Sequence, residues 1–178
     1  MRKKLKDFAI RVLKRLLEKL GVRTIERDGV FAVVRNPNNP DEILLVRHGY
    51  GTKKWSLPGG GIKQGEFAPD AIMREVSDET GFKVGINKHV AYLSLELKYG
   101  FTCLFECHIV DGNLNEKGNG QEIIECRFFH KDSLPNMYNA QKGMIGWAEY
   151  HNLGGEPLRV LYGWPNKPPL KQYRTEQQ

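Results

Sequence analysis

The chain has 178 residues, 40% of them hydrophobic and 27% charged, with a formal net charge of +6. This length suits one domain with a sizeable core, and the composition is that of an ordinary soluble globular protein. Residues 1–27 hold ten Lys and Arg against three Asp and Glu, which leaves 17 basic and 18 acidic side chains in the rest of the chain. A nearly neutral body argues against a long nucleic-acid footprint.

The first predicted element is a basic amphipathic helix over residues 1–23, in which apolar side chains recur at helical spacing until Gly21. Its interpretation stays open. The helix could pack on its own domain or form a homodimer, which is the reading we favour, or it could attach to an anionic membrane surface. A mitochondrial-type targeting peptide is disfavoured by Asp7 and Glu18.

Beyond this helix, strand-like and helical segments alternate. "GVFAVVRN" and "EILLVRH" are predicted strands around the turn "PNNPD", and "KWSLPGGG" is a short strand that runs into a glycine loop. A helix is predicted over residues 67–80, and a second over about 137–152. Three more strands are rich in aromatic and β-branched residues, and a long polar loop, "DGNLNEKGNGQ", separates the last two of them. These strands are "HVAYLSLELK", "GFTCLFECHIV" and "EIIECRFFH".

This element order predicts an α+β protein, an α/β/α sandwich with a mixed β-sheet. We expect one domain over residues 24–164, followed by a disordered Pro-rich tail over 165–178. Three cysteines form no disulfide framework, which favours a reducing compartment, so we expect a cytoplasmic protein. Cys103 and Cys107 share a strand face near His108. A zinc site would need a fourth ligand and tight pair spacing, neither of which is evident, so we interpret both cysteines as small buried hydrophobes.

The stretch "LPGGGIKQGEFAPDAIMREVSDETGF", residues 57–82, crowds acidic residues onto the first domain helix. At about 100° per residue, three carboxylates share one face: Glu75, Asp78 and Glu79. Like charges on one face repel each other unless a cation lies among them. Convergent oxygen ligands suit a hard divalent cation, Mg²⁺ or Mn²⁺, whereas the alternative is a solvated acidic helix face.

Neighbouring residues complete this predicted site. The glycines let the backbone approach closely, so that a carbonyl oxygen can join the ligands, and Arg74 could anchor Glu66 and hold the loop against the helix. Ile72, Met73 and Val76 are predicted to dock the helix on the sheet.

The same stretch resembles the Nudix box, G-x5-E-x7-R-E-U-x-E-E-x-G-U with U apolar, from Gly60 to Phe82. Every defined position matches except Asp78, where the family usually has Glu. "ILLVRH", "WSLPGG" and "EIIECRFFHKDSLP" are also similar to the strands around that box. The resemblance covers about residues 25–152.

Several roles are implied by this resemblance. Nudix enzymes use water and Mg²⁺ to hydrolyse a nucleoside diphosphate linked to another group, on an α/β/α sandwich. Glu79 and Asp78 would be metal ligands, the latter one methylene shorter than usual, and Gly59 would offer its backbone carbonyl. Glu75 would be a ligand or the water-activating base. Arg74 would orient Glu66 and Glu75, and a further base from a distant loop would be Glu122 or, alternatively, Glu125.

The sequence specifies the substrate less closely than it specifies the type of reaction. The resemblance implies a small nucleotide: a nucleoside triphosphate, a dinucleoside polyphosphate or a nucleotide sugar. Tyr99 lies where dinucleoside-polyphosphate hydrolases often carry a Tyr, although strand packing is the commoner role, and Arg47 could meet phosphates or simply be solvated. The alternatives are an RNA 5′-end pyrophosphohydrolase and a non-catalytic nucleotide-binding module. The neutral body disfavours nucleic acid, and the intact carboxylates disfavour loss of catalysis.

Overall fold

A computed structural model describes residues 28–94, 101–152 and 158–162. The predicted basic helix over residues 1–23, Tyr99 and the predicted tail over 165–178 lie outside these ranges. In the part that is described, no helix is both long enough and apolar enough to cross a membrane.

Eight strands and two helices make up the described residues. The strands are β1 (Gly29–Asn36), β2 (Asn39–His48), β3 (Trp55–Ser56), β4 (Gly59–Gly61), β5 (Phe82–Ser94), β6 (Phe101–Gly112), β7 (Ile123–His130) and β8 (Leu158–Tyr162). The helices are α1 (Ala68–Thr80) and α2 (Asn139–Asn152).

Strand β1 is the centre of a mixed sheet. It pairs parallel with β6 and antiparallel with both β2 and β4. The sheet order is β3-β2-β1-β6-β5-β8, and β7 pairs with β2. The predicted α+β class with a mixed β-sheet is therefore confirmed.

The side chains of β1 alternate between two hydrophobic cores, as expected for a strand covered on both faces. Val30, Ala32 and Val34 pack with Ile72 and Val76 of α1, together with Cys103 and Cys107 from one face of β6. Val33 instead packs with Met144, Ile145 and Trp147 of α2, together with Leu104 from the opposite face of β6. One helix therefore covers each face of the sheet, which is the predicted α/β/α sandwich.

Helix α1 begins after Phe67 with Pro69 in its first turn, where a missing N–H costs no helical hydrogen bond. It ends at Gly81, whose left-handed φ of 81° lets its N–H donate to the carbonyl of Ser77. The prediction of Ile72 and Val76 as docking residues is confirmed, whereas that of Met73 is wrong. Met73 is 37% exposed, because it lies just beyond the apolar stripe.

Strand β5 begins at Phe82, seven residues earlier than predicted. Its first part places Phe82, Val84 and Ile86 toward the core that contains α1, whereas Val90 and Ala91 belong to the core that contains α2. Register shifts between Ile86 and Lys88 and between His89 and Ala91 change the alternation. The side chains therefore do not alternate with a period of two along the whole strand. For this reason the sequence pattern did not predict the first half of β5.

Two further elements differ from the sequence prediction. The glycines predicted as a loop form strand β4, in which Gly59, Gly60 and Gly61 pair with β1. Strand β8, which pairs parallel with β5, was not predicted, because a five-residue strand at the sheet edge carries little periodic signal.

Candidate active site

The site begins where β4 brings glycines between β1 and helix α1. A Cβ atom on Gly59 would lie 2.1 Å from the carbonyl oxygen of Val30, and one on Gly60 would lie 2.6 Å from the carboxyl carbon of Glu75. No side chain other than hydrogen fits either position without a shift. The absence of side chains in β4 therefore allows the acidic helix to lie directly against the strand.

Arg74 joins the loop after β4 to the helix. Its Nε donates to Glu66 Oε1 at 2.6 Å and its Nη2 to Glu66 Oε2 at 2.8 Å, while Nη1 lies 2.7 Å from Glu75 Oε1. Nη2 also donates to the carbonyl of Gly61 at 3.2 Å. The hydrogen bonds from Arg74, with one from the N–H of Lys63, lower the pKa of Glu66 to about 2. The contact predicted between Arg74 and Glu66 is present, and Arg74 holds Glu75 as well.

Glu79 is the buried carboxylate of the site, with only 7% of its surface exposed. Its Oε2 accepts a hydrogen bond of 2.9 Å from the N–H of Gly59. Burial raises the pKa of Glu79 to about 8; the Gly59 hydrogen bond lowers it, and the charges of Glu75, Glu122 and Asp78 raise it further. The contact shown for Gly59 is thus made through its N–H group, while the carbonyl role stays a prediction.

Asp78 differs from Glu79 although the two residues are adjacent. Its side chain is 63% exposed, and its Oδ2 lies 4.0 Å from Nη1 of Arg74. The three predicted carboxylates therefore occupy one end of α1 at three depths, with Glu79 buried, Glu75 partly covered and Asp78 in water.

The two candidate bases of the distant segment differ in their contacts. Glu125 is held between Arg47 at 2.7 Å and Arg127 at 2.5 Å. Glu122 is exposed and lies close enough to Glu79 and His48 for its charge to raise the pKa of both. No described Lys, Arg or His is within ion-pair distance of Glu122. Of the two, Glu122 is the carboxylate without an ion-pair partner among the described residues.

Arg47 lies on the side of the site formed by β2 and β3. Its guanidinium carbon is 5.7 Å from the centre of the Trp55 ring, in cation–π geometry, and its Nη2 forms an ion pair with Glu125. The side chain remains 40% exposed. Arg47 is thus oriented by two neighbours while part of it still faces water.

The sequence indicated His48 as a residue that could meet phosphates, but it did not indicate the polar partners that residues near this edge acquire in the fold. His48 Nε2 lies 2.9 Å from Ser56 Oγ, and Thr52 Oγ1 lies 2.9 Å from the hydroxyl of Tyr138. These pairs join residues far apart in sequence or across a turn. No local motif could have indicated them, because only the pairing of β2 with β3 and the bridge between Trp55 and Met137 bring them together.

The donor set fits a divalent cation. Arg74 compensates Glu66 and Glu75, whereas no described basic side chain pairs with the buried Glu79. Carboxylate oxygens are the ligands that hard divalent cations prefer, and Glu79 has no described basic side chain that would compete with such an ion. No three described His, Cys, Asp or Glu side chains are already arranged as a metal-binding group, so the ligands would have to converge further when the ion binds.

The fold and the site together define a class of protein: an α/β/α sandwich whose glycine strand and arginine-clamped acidic helix form a carboxylate site. The profile of the NUDIX domain matches residues 25–148, and the chain belongs to the Nudix family. Members of this family generally use a divalent metal and bind small nucleotides.

Individual relatives agree with this assignment. The chain is 35% identical over 91 residues to Nudix hydrolase 6 of Arabidopsis thaliana, covering 45% of this chain and 32% of the relative. It is 30% identical over 100 residues to an oxidized purine nucleoside triphosphate hydrolase of Mus musculus, covering 54% and 63%. The crystal structure of a UDP-X diphosphatase matches with a TM-score of 0.64 and 26% identity, covering 85% of this chain and 74% of that one. Across the curated relatives, the match spans 28 to 63% of the relative's own length.

Proposed function

We propose that this protein hydrolyses the diphosphate linkage of a small nucleotide with Mg²⁺, or alternatively Mn²⁺, as its cofactor. The observation that carries the proposal is the environment of Glu79. This carboxylate is buried beside Glu75, Asp78 and Glu122, and no described basic side chain pairs with it. An acidic group in such a place is costly unless a cation compensates it. A diphosphate is the substrate that a cation at this site would attract.

The residues of the site have separate tasks in this proposal. Glu79, Glu75 and Asp78, with the carbonyl of Gly59, would hold the ion, which when bound supplies charge neutralisation on phosphate oxygens. Arg74 holds Glu75 in place through its 2.7 Å contact. Glu122 is the base that we propose accepts the proton of the attacking water, because it is exposed and near Glu79. Arg47 is a proposed contact for substrate phosphates.

The nature of the nucleotide is supported by the names of relatives. These include an oxidized purine nucleoside triphosphate hydrolase and a UDP-X diphosphatase. An ADP-ribose pyrophosphatase of Methanocaldococcus jannaschii is 24% identical over 117 residues. All three names describe nucleotides with a phosphoanhydride bond, so we propose a nucleoside triphosphate, a dinucleoside polyphosphate or a nucleotide sugar. The three free, buried cysteines suit a reducing compartment, and we propose a cytoplasmic location.

The proposal is tested with a panel of substrates at fixed Mg²⁺: nucleoside triphosphates including 8-oxo-dGTP, dinucleoside polyphosphates, UDP-sugars and ADP-ribose. Products are identified by chromatography for the wild type and for Glu79→Gln. We expect cleavage of at least one class, and a loss of kcat on the order of 10²- to 10⁴-fold in the variant. Binding of Mn²⁺, followed by its electron paramagnetic resonance, should weaken in parallel.

Asp70→Asn is the matched control, because Asp70 is an exposed carboxylate in the first turn of the same helix. It should retain both activity and metal binding. Equal activity in the wild type and in Glu79→Gln would contradict the proposed site. No cleavage by a wild type that still binds the metal would contradict the proposed function, and would favour an RNA 5′ end or a non-catalytic binding module.

A further inference from the structure

The loop between β6 and β7 is built around the side chain of one residue. Asn119 Oδ1 accepts hydrogen bonds from three consecutive backbone N–H groups, those of Gln121 at 3.0 Å, Glu122 at 2.9 Å and Ile123 at 3.0 Å. The N–H of Gly120 donates to the carbonyl of Ile123 at 3.1 Å, which closes the turn from the other side. The backbone of Glu122 is therefore enclosed by a turn that the Asn119 amide organises.

This turn is attached to both walls of the site. The N–H of Asn115 donates to the carbonyl of Thr80 at the end of α1, at 2.8 Å. The thiol of Cys126 donates to the carbonyl of Glu79 at 3.3 Å. On the β2 side, the N–H of Gly49 donates to the carbonyl of Glu122 at 2.8 Å. These hydrogen bonds hold the loop and the start of β7 against the end of α1 and the end of β2. A change in the backbone at Glu122 would therefore move its side chain relative to both Glu79 and the end of β2.

The path of the turn also restricts its neighbours. Gly118 has a φ of +60°, and a Cβ atom there would lie 2.5 Å from the carbonyl oxygen of Ile123. Asn115 donates from Nδ2 to the carbonyl of Gly118. The chain thus passes close to the start of β7 just before Asn119, and this close approach brings the Asn119 amide within reach of three N–H groups.

We propose that Asn119 is a positioning residue that holds the Glu122 carboxylate at the site, between Glu79 and His48. Glu122 is exposed, and no described basic side chain pairs with it, so the position of its backbone, which the hydrogen bond to Asn119 fixes, limits where its carboxylate can reach. The inference rests on the proposed function in one respect, because it takes Glu122 to be the base of the proposed hydrolysis. Its geometric part can be tested without any substrate.

The geometric test uses His48 as a reporter. Burial lowers the pKa of His48, and the charge of Glu122 raises it. NMR titration of the His48 ring in the metal-free protein should therefore give a lower pKa in Glu122→Gln than in the wild type. Asn119→Ala should lower it in the same direction, because the carboxylate is released from its place. Asn113→Ala, at an exposed position of the same loop, is the control and should leave it unchanged.

The kinetic test uses the substrate of the panel above that the wild type cleaves fastest. Asn119→Ala should lower kcat by roughly 10²-fold with KM little changed, since a base displaced by about 1 Å is costly for the chemical step. Asn119→Asp retains an acceptor oxygen and should restore most of kcat. In the Glu122→Gln background, Asn119→Ala should cost little more, because Asn119 acts through Glu122.

The outcomes separate this inference from the proposed function. An unchanged His48 pKa in Asn119→Ala would overturn it. It would also be overturned if Asn119→Ala lowered kcat as much in the Glu122→Gln background as it does in the wild type. Wild-type kcat in Glu122→Gln would also overturn it, while a loss of activity in Glu79→Gln would still support the proposed function. Asn119→Gln, which moves the amide by one methylene, gives the same comparison if Asn119→Ala does not fold.

Discussion

Glu79 shows how one residue can couple the site to the stability of the fold. Its pKa of about 8 in the metal-free protein exceeds the ordinary value of 4.5. Between these values the folded protein holds a proton that the unfolded chain has released. The free energy of unfolding therefore falls as pH rises from about 4.5 to 8, and this contribution levels off above pH 8.

The first prediction follows from this sign. In urea unfolding of the metal-free wild type, Glu79 should contribute a decrease of up to about 1.4 kcal/mol per pH unit between pH 5 and 8. Glu79→Gln should lack this contribution, so the difference between wild type and variant isolates it from other titrating groups. Saturating Mg²⁺ should flatten the wild-type curve, because the ion stabilises the charged carboxylate. Parallel curves for the two metal-free proteins would show that Glu79 does not hold the proton.

At the scale of elements, strand β4 has two neighbouring glycines with different constraints. A Cβ atom on Gly59 would meet backbone, the carbonyl of Val30 at 2.1 Å, and the φ of Gly59 is +153°. A Cβ atom on Gly60 would meet the end of the Glu75 side chain, which can move. A side chain at Gly59 would therefore disturb the pairing of β4 with β1, whereas a side chain at Gly60 would displace the carboxyl group of Glu75 in the site.

The two alanine substitutions should therefore fail in different ways. Gly59→Ala should destabilise the protein by more than about 2 kcal/mol, because two strands must separate. Gly60→Ala should fold with nearly wild-type stability but lose activity and Mn²⁺ binding, since Glu75 is pushed from its place. Urea unfolding and Mn²⁺ titration of both variants test this contrast. Equal loss of stability in the two variants would contradict it.

At the scale of the whole molecule, a charged network joins the sheet to α2. Arg35 of β1 donates from Nε to Glu106 Oε1 at 2.9 Å and from Nη2 to Glu149 Oε1 at 2.6 Å. Glu106 is only 5% exposed. Although burial raises its pKa, the hydrogen bonds from Arg35, Asn152 and Lys88 outweigh that effect and lower it, so that Glu106 stays charged inside the fold.

Removal of Arg35 leaves this buried charge with weaker partners. Arg35→Met should destabilise the protein by about 2 kcal/mol, less than for a fully buried pair because the Arg35 side chain is 19% exposed. Lys83→Met, which breaks the exposed pair with Asp111, is the matched control and should change stability by less than about 1 kcal/mol. Both values come from urea unfolding. A similar loss in the two variants would show that the Arg35 network adds nothing beyond a surface ion pair.

Much of the fold was predictable because apolar periodicity is local. Strands β1 and β2 and helix α1 followed from spacing, the α/β/α sandwich followed from the order of the elements, and the box from Gly60 to Phe82 identified the family. Strand β5 was only half predicted, because bulges change which face its side chains occupy. Strand β8 was missed, because a short edge strand depends on its partner β5 rather than on its own pattern.

For the site, the sequence by itself determined which residues carry charge and that three carboxylates lie at one end of α1. The tertiary structure alone decided which of them is buried. Glu79 and Asp78 are neighbours with the same chemistry, yet the approach of β4 covers the first and leaves the second in water. The same holds for Glu122 and Glu125, since only the pairing of β2 with β7 brings Arg47 to Glu125. Burial and long-range pairing set a carboxylate's pKa and partners, and both arise from residues distant in the chain.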